Sequence, residues 1–139
     1  MKKSILVFFV CVSLFAFPFV SYGKSISNLK VLLSDDINTD CWAPSLSNTV
    51  NACHYNDHGT DKIFIRKDLP APLLGRVLLK SIGHYLISDI NDEDLNKLFV
   101  SPLSWMPIKE TVADGFVLWF YGVKMTTVQD AFFKSLLTN

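Results

Sequence analysis

The stretch that most constrains this chain is the run from Leu69 to Ser88, LPAPLLGRVLLKSIGHYLIS. Two prolines near its start suit the first turn of a helix, and the apolar residues that follow recur at helical spacing, as at Leu74 and Leu78. Lys80 and His84 are one turn apart on an adjoining stripe of the same helix. We therefore predict a central helix that is largely buried but carries two polar side chains on one side.

The first 23 of the 139 residues have the pattern of a secretory signal peptide. Lys2 and Lys3 precede an apolar run over residues 5–17, and the small-x-small triplet Ser-Tyr-Gly predicts cleavage after Gly23. An uncleaved anchor is the alternative, and Cys11 lacks the context of a lipoprotein cleavage box. We expect a secreted or periplasmic protein with one domain over residues 24–139 and no stable membrane anchor after cleavage.

Charge and size exclude one class of function for this domain. Without Lys2 and Lys3, the 13 basic side chains fall to 11, against 13 acidic ones. There is no cluster of Lys and Arg, so nucleic acid is not an expected partner, because phosphate binding depends on such clusters.

Cys41 and Cys53 are the two cysteines that remain after cleavage. In an oxidising compartment, an even pair that closes a short loop is typical of a disulfide, and we predict one here. A Cys2His2 metal site with His54 and His58 is the alternative.

The remaining segments predict a small α+β domain. A short sheet is expected to pack on the central helix and on a second helix over about residues 108–121, and Thr126 with Gln129 forms a capping-box signature for a C-terminal helix. The predicted strands cover residues 31–33, 50–55 and 62–66, the predicted short helix covers residues 92–100, and residues 35–40 and most of 41–59 are read as turn and loop.

Part of this order resembles the active-site region of zincin metallopeptidases of the Glu-ligand type. In that family a strand, a helix carrying H-E-x-x-H and a second helix carrying E-x-x-[AS]-D follow one another. The second motif is intact here as Glu110, Ala113 and Asp114, and a glycine precedes His84, where the family packs two helices closely. The first motif is broken, because Lys80 and Ser81 stand at the positions of the first His and the Glu. The resemblance also implies that the strand 62–66 forms the sheet edge where a peptide could pair.

The resemblance implies a role for each of these positions. His84 matches the second His ligand, Glu110 the Glu ligand, and Asp114 the residue that orients a ligand His. Ser81 lacks the basicity of the lost carboxylate, and an ammonium at Lys80 has no lone pair for a metal. We therefore expect neither cofactor nor catalysis; if a metal is held, His84 and Glu110 are its remaining ligands.

We expect the Lys80 ammonium to supply the missing positive charge and to contact Glu110 or Asp114, because two carboxylates without a partner are costly to bury. Simpler readings remain open. Lys80 could extend to solvent, His84 could be an ordinary core histidine, and Glu110 with Asp114 could be a solvated acidic pair. A Ser81-His84-Asp114 triad is disfavoured, because a serine within a helix lacks oxyanion donors.

The expected function is that of an inactive metallopeptidase homologue, a binding or structural protein whose former substrate groove takes a peptide or a protein. Two other functions stay open at this point. One is a divergent zinc-dependent hydrolase with a rearranged metal site, and the other is an exported inhibitor or immunity-type protein.

Overall fold

The computed structural model describes residues 24–41 and 50–138. The predicted signal peptide, including Cys11, lies outside these residues. The described chain forms three strands and five helices, preceded by a 3-10 turn at Ile26–Asn28. In chain order the elements are β1 (Leu29–Ser34), α1 (Ile37–Asp40), β2 (Ala52–Asp57), β3 (Thr60–Arg66), α2 (Ala71–Ile87), α3 (Asp92–Leu98), α4 (Ile108–Phe120) and α5 (Thr127–Leu137).

The fold is α+β, as predicted, and the helices begin and end close to their expected positions. Asn91 accepts a hydrogen bond from the backbone N–H of Asp94 at the start of α3. Thr126 and Gln129 form both bonds of the capping box at the start of α5. One expectation was wrong in detail: residues 35–40, read as a turn, include the single-turn helix α1, which begins after the side chain of Asp36 caps Thr39.

The three strands form one sheet in the order β1-β3-β2. β1 pairs with β3 in parallel, and β2 pairs with β3 in the antiparallel sense. The expectation that residues 62–66 form a sheet edge was therefore wrong, because β3 is the central strand and pairs on both sides. The outer strands are β1 and β2, and β2 overlaps the strand that was predicted over residues 50–55.

The hydrophobic core lies between one face of the sheet and the helices. Along β3 every second residue is buried, so Asp61, Ile63 and Ile65 point toward the helices. Aromatic side chains fill much of the remaining space, and the Phe133 ring contacts rings on α4, on its own helix α5 and at the residue that follows α3. These ring contacts involve Phe99, Phe116, Trp119 and Phe132.

Within the described residues, none of the helices combines the length and the apolar character that crossing a bilayer requires.

Candidate functional site

The candidate site lies between α2 and α4, which pack against each other in antiparallel orientation. Gly83 of α2 makes this close approach possible. A Cβ atom at Gly83 would lie 3.3 Å from the Cα of Ala113 and 3.2 Å from the Cδ1 of Phe116, tighter than ordinary packing. The sequence resemblance predicted this role for the glycine. The close contact places Lys80 and His84 of α2 opposite the first turns of α4.

Lys80 lies between the two carboxylates of α4. Its Nζ is 2.9 Å from the Oε2 of Glu110 and 3.0 Å from the Oδ1 of Asp114. Glu110 and Asp114 are one helical turn apart, so both side chains project toward α2. The expected contact of Lys80 is therefore present, and this ammonium does not simply extend into solvent.

His84 completes the cluster one turn further along α2. Its Nε2 lies 2.9 Å from the Oε1 of Glu110, so the two oxygens of Glu110 face His84 and Lys80 separately. A neutral imidazole can donate its Nε2–H to that oxygen. This contact agrees with the simpler reading of His84 as a histidine bonded to a carboxylate.

Electrostatics set the protonation states of the two side chains of α2. Burial alone would lower the pKa of Lys80, but hydrogen bonds to Glu110 and Asp114 outweigh it, so the pKa is raised and the amine stays protonated. Burial lowers the pKa of His84, and the nearby Lys80 charge adds to this, although Glu110 opposes it. At neutral pH Lys80 is therefore an ammonium and His84 a neutral imidazole.

The site as it stands does not fit a zinc ion. Lys80 places a protonated amine against the carboxylates that a metal would need, and His84 is the one imidazole in this cluster. Among the described residues, no group of three or more His, Cys, Asp or Glu side chains is arranged to hold a metal ion. Ser81 is half-buried on α2 and takes no part in the ion pairs.

The serine triad is not formed. Asp114 contacts Lys80 and His84 contacts Glu110, so the Ser81-His84-Asp114 order of the sequence does not become a relay of hydrogen bonds.

Cys41 and Cys53 form the predicted disulfide, with their Cα atoms 5.8 Å apart. The alternative Cys2His2 metal site is therefore wrong, because neither sulfur is a thiolate. His54 and His58 also have separate partners, since His54 bonds Asp61 and His58 bonds Asp57. The disulfide ties the end of α1 to the outer strand β2.

A second polar cluster, which the sequence analysis did not find, surrounds Asp61. This buried carboxylate accepts hydrogen bonds from the Nε2 of His54 at 2.8 Å and the Nδ2 of Asn56 at 2.9 Å, and Lys24 lies 3.9 Å away. The bond from Asn56 is the main cause that lowers the pKa of Asp61. The sequence held one indication of this cluster. Asp61 alternates with Ile63 and Ile65 and therefore lies on the same buried face of β3.

Lys24 and Ser25 are held by the same part of the molecule. The Lys24 ammonium lies 5.3 Å from the centre of the Tyr85 ring, and the Tyr85 hydroxyl donates to the backbone oxygen of Ser25. The Asp61 cluster thus anchors the start of the described chain to the C-terminal part of α2.

Comparison of the chain with protein-family models, with curated proteins and with solved structures finds no match.

Proposed function

We propose that this chain is an exported, zincin-like protein that has lost catalysis and acts as a binding or structural module. The observation that carries this proposal is the position of Lys80, whose ammonium lies 2.9 Å from Glu110 and 3.0 Å from Asp114. In the family that the sequence resembles, these carboxylates serve a zinc site. The positive charge of Lys80 takes the place that a metal ion would have beside these carboxylates. This supports the proposal that α2 and α4 retain their arrangement although the metal has been lost.

The chemistry that remains also favours a module over an enzyme. The raised pKa of Lys80 makes its amine a poor base, and Ser81 offers a hydroxyl where the resembled family has a carboxylate. Export is supported by the signal-peptide pattern and by the disulfide, which is typical of oxidising compartments.

The partner that we propose is an extended polypeptide segment that pairs with the outer edge of β2. The backbone groups of Ala52, His54 and Asn56 face away from β3. This follows from the register of β2 and β3, in which the Arg66 N–H donates a hydrogen bond to the Asn51 oxygen. Backbone groups that face away from a sheet in this way can bind an added strand.

Reversing the two lost positions tests the proposal. The variant Lys80→His/Ser81→Glu restores the H-E-x-x-H spacing opposite Glu110 and Asp114. We expect this variant to bind one equivalent of zinc and to hydrolyse a generic peptide substrate, because two imidazoles, a carboxylate ligand and a general base are then present. Zinc content is measured by elemental analysis after purification.

Two control variants distinguish the residues that bind zinc from the residue that acts as general base. Lys80→His alone should bind zinc without hydrolysis, and adding His84→Ala to the double variant should remove the metal. A folded double variant that holds no zinc contradicts the zincin-like origin of the site. One equivalent of zinc in the unaltered protein, lost in His84→Ala, contradicts the inactive module and supports a hydrolase.

The proposed partner has its own test. Proteins captured from the compartment that the chain reaches should be retained by the unaltered protein and lost by Ala52→Pro. This substitution removes an outward N–H and no bond between β2 and β3. Equal capture by both forms contradicts binding at β2.

A further inference from the structure

Among the described residues, the other outer strand, β1, pairs on one side only, so half of its backbone groups face away from β3. Ser34 aligns with Arg66, and its oxygen accepts a bond from the N–H of Lys67 at 3.1 Å, so Ser34 directs its backbone groups toward β3. Successive residues of a strand alternate in this direction. Val31 and Leu33 therefore present their N–H and C=O groups at the open edge of the sheet.

Apolar side chains accompany these free groups. Val31 and Leu33 align with Ile63 and Ile65 and so share their face of the sheet. Ile63 and Ile65 are fully buried beneath the helices, whereas Val31 is 42% and Leu33 61% exposed. Leu32, on the opposite face, is 40% exposed. The described helices thus cover β3 and leave β1 open.

Exposed edges of this kind are usually protected by prolines, bulges or inward-pointing charges, because they pair readily with other strands. Within β1 the only charged residue is Lys30, which lies near one end of the strand. The three central residues, Val31, Leu32 and Leu33, carry no charge.

We infer that β1 pairs with β1 of a second copy of the chain, antiparallel about a two-fold axis at Leu32. In this register Val31 lies opposite Leu33 of the second copy, so the outward backbone groups of one strand meet those of the other. Each Val31–Leu33 pair is apolar, and the two Leu32 side chains meet on the other face. The product is one six-stranded sheet.

Charge favours this orientation over a parallel one. Lys30 precedes the apolar segment and the exposed Asp36 follows it. Antiparallel pairing places Lys30 of one copy opposite Ser34 and diagonal to Asp36 of the other, within reach of a long side chain. The strand is short and the covered area small, so the dimer is reversible and depends on concentration.

Sedimentation equilibrium of the purified, oxidised chain, expressed from its full sequence, tests the inference. We expect the average mass to rise from that of one chain toward twice that value between micromolar and near-millimolar concentration. Leu33→Lys should keep the chain monomeric throughout. The matched control is Leu118→Lys, a similarly exposed leucine at 48% on α4, which should dimerise as the unaltered protein does. A monomer at all concentrations, or a Leu33→Lys variant that still dimerises, overturns the inference.

Disulfide trapping tests the register separately. The two-fold axis places the Leu32 positions as a directly opposed pair about 4.5 Å apart between Cα atoms, within the range of a disulfide. Leu32→Cys should therefore cross-link two chains on oxidation. Lys30→Cys, on the same face, should not, because its two copies would lie about 13 Å apart. Cross-linking of Lys30→Cys without Leu32→Cys overturns the proposed register.

Discussion

At the scale of single residues, Lys80 is the side chain of α2 that pairs with both carboxylates of α4. Replacing it with methionine keeps the length and apolar stem but removes the charge, so Glu110 and Asp114 repel each other one turn apart. We expect Lys80→Met to lower the free energy of unfolding by about 1 kcal/mol, measured by urea denaturation. The figure is modest because the Lys80 side chain is 34% exposed and its ion pairs are partly screened.

The matched control is Lys134→Met, which breaks an ion pair with Asp130 on the surface of α5. This lysine is 67% exposed and its partner is one turn away on the same helix, so the loss should be clearly smaller than that of Lys80→Met. Equal losses in the two variants would show that Lys80 has no special role between the helices.

His84 makes stability depend on pH. Its pKa in the folded protein is lowered from the ordinary value of 6.5, chiefly by burial, so the unfolded chain binds the proton more readily. The free energy of unfolding should therefore fall as pH decreases through 6.5 toward the lower folded pKa. Urea denaturation at steps from about pH 7 to about pH 5 measures this slope.

His84→Gln should flatten this part of the pH profile, because it removes the group whose proton affinity differs between the two states. His58→Gln is the control, since the His58 side chain is 98% exposed. A slope that survives His84→Gln would assign the pH dependence to other groups.

At the scale of helices, the contact between α2 and α4 rests on Gly83. In Gly83→Ala the new methyl group would lie 3.2 to 3.3 Å from Phe116 and Ala113, so the side chain of Phe116 and the backbone of α4 would have to shift slightly. We expect a loss of about 1–3 kcal/mol in the free energy of unfolding. The ion pairs of Lys80 should weaken at the same time.

Gly75→Ala, on the same helix, is the matched comparison. Its Cβ would meet only the Tyr121 hydroxyl, at an ordinary 3.5 Å, so helix propensity should stabilise the variant by up to about 1 kcal/mol. Chemical denaturation of the two variants should therefore give opposite signs. A stabilising Gly83→Ala would contradict the close packing of the helices.

The sequence predicted the helices well because their signals are local. Apolar spacing defined α2 and α4, and the Thr126 and Gln129 signature defined the start of α5. The Lys80 contact was expected from the resemblance, which places the two motifs opposite each other, and from the need for a positive charge beside two carboxylates. The strand order was not predictable in this way. Alternation identified β3 as a strand, but its parallel pairing with β1 joins segments that are distant in sequence.

The Asp61 cluster was missed for the same physical reason. Asn56 and His54 reach Asp61 across the hairpin of β2 and β3, whereas Lys24 arrives from the start of the described chain. Lys24 reaches Asp61 only through the tertiary fold, and His54 and Asn56 reach it only in the observed register of the hairpin. The one local indication of the cluster was a charged residue, Asp61, at a position of β3 where alternation predicts a buried side chain.

At the scale of the whole molecule, the disulfide between Cys41 and Cys53 joins α1 to β2. Because their sequence separation is 12, closing this loop should restrict the unfolded chain and stabilise the protein by about 3 kcal/mol. We expect Cys41→Ser/Cys53→Ser to lower the free energy of unfolding by roughly that amount in urea. Reducing the unaltered protein should produce a similar loss, whereas the double variant should not respond to the reductant. If the variant unfolds at the same urea concentration as the oxidised protein, the noncovalent contacts of α1 and β2 are sufficient without the bond.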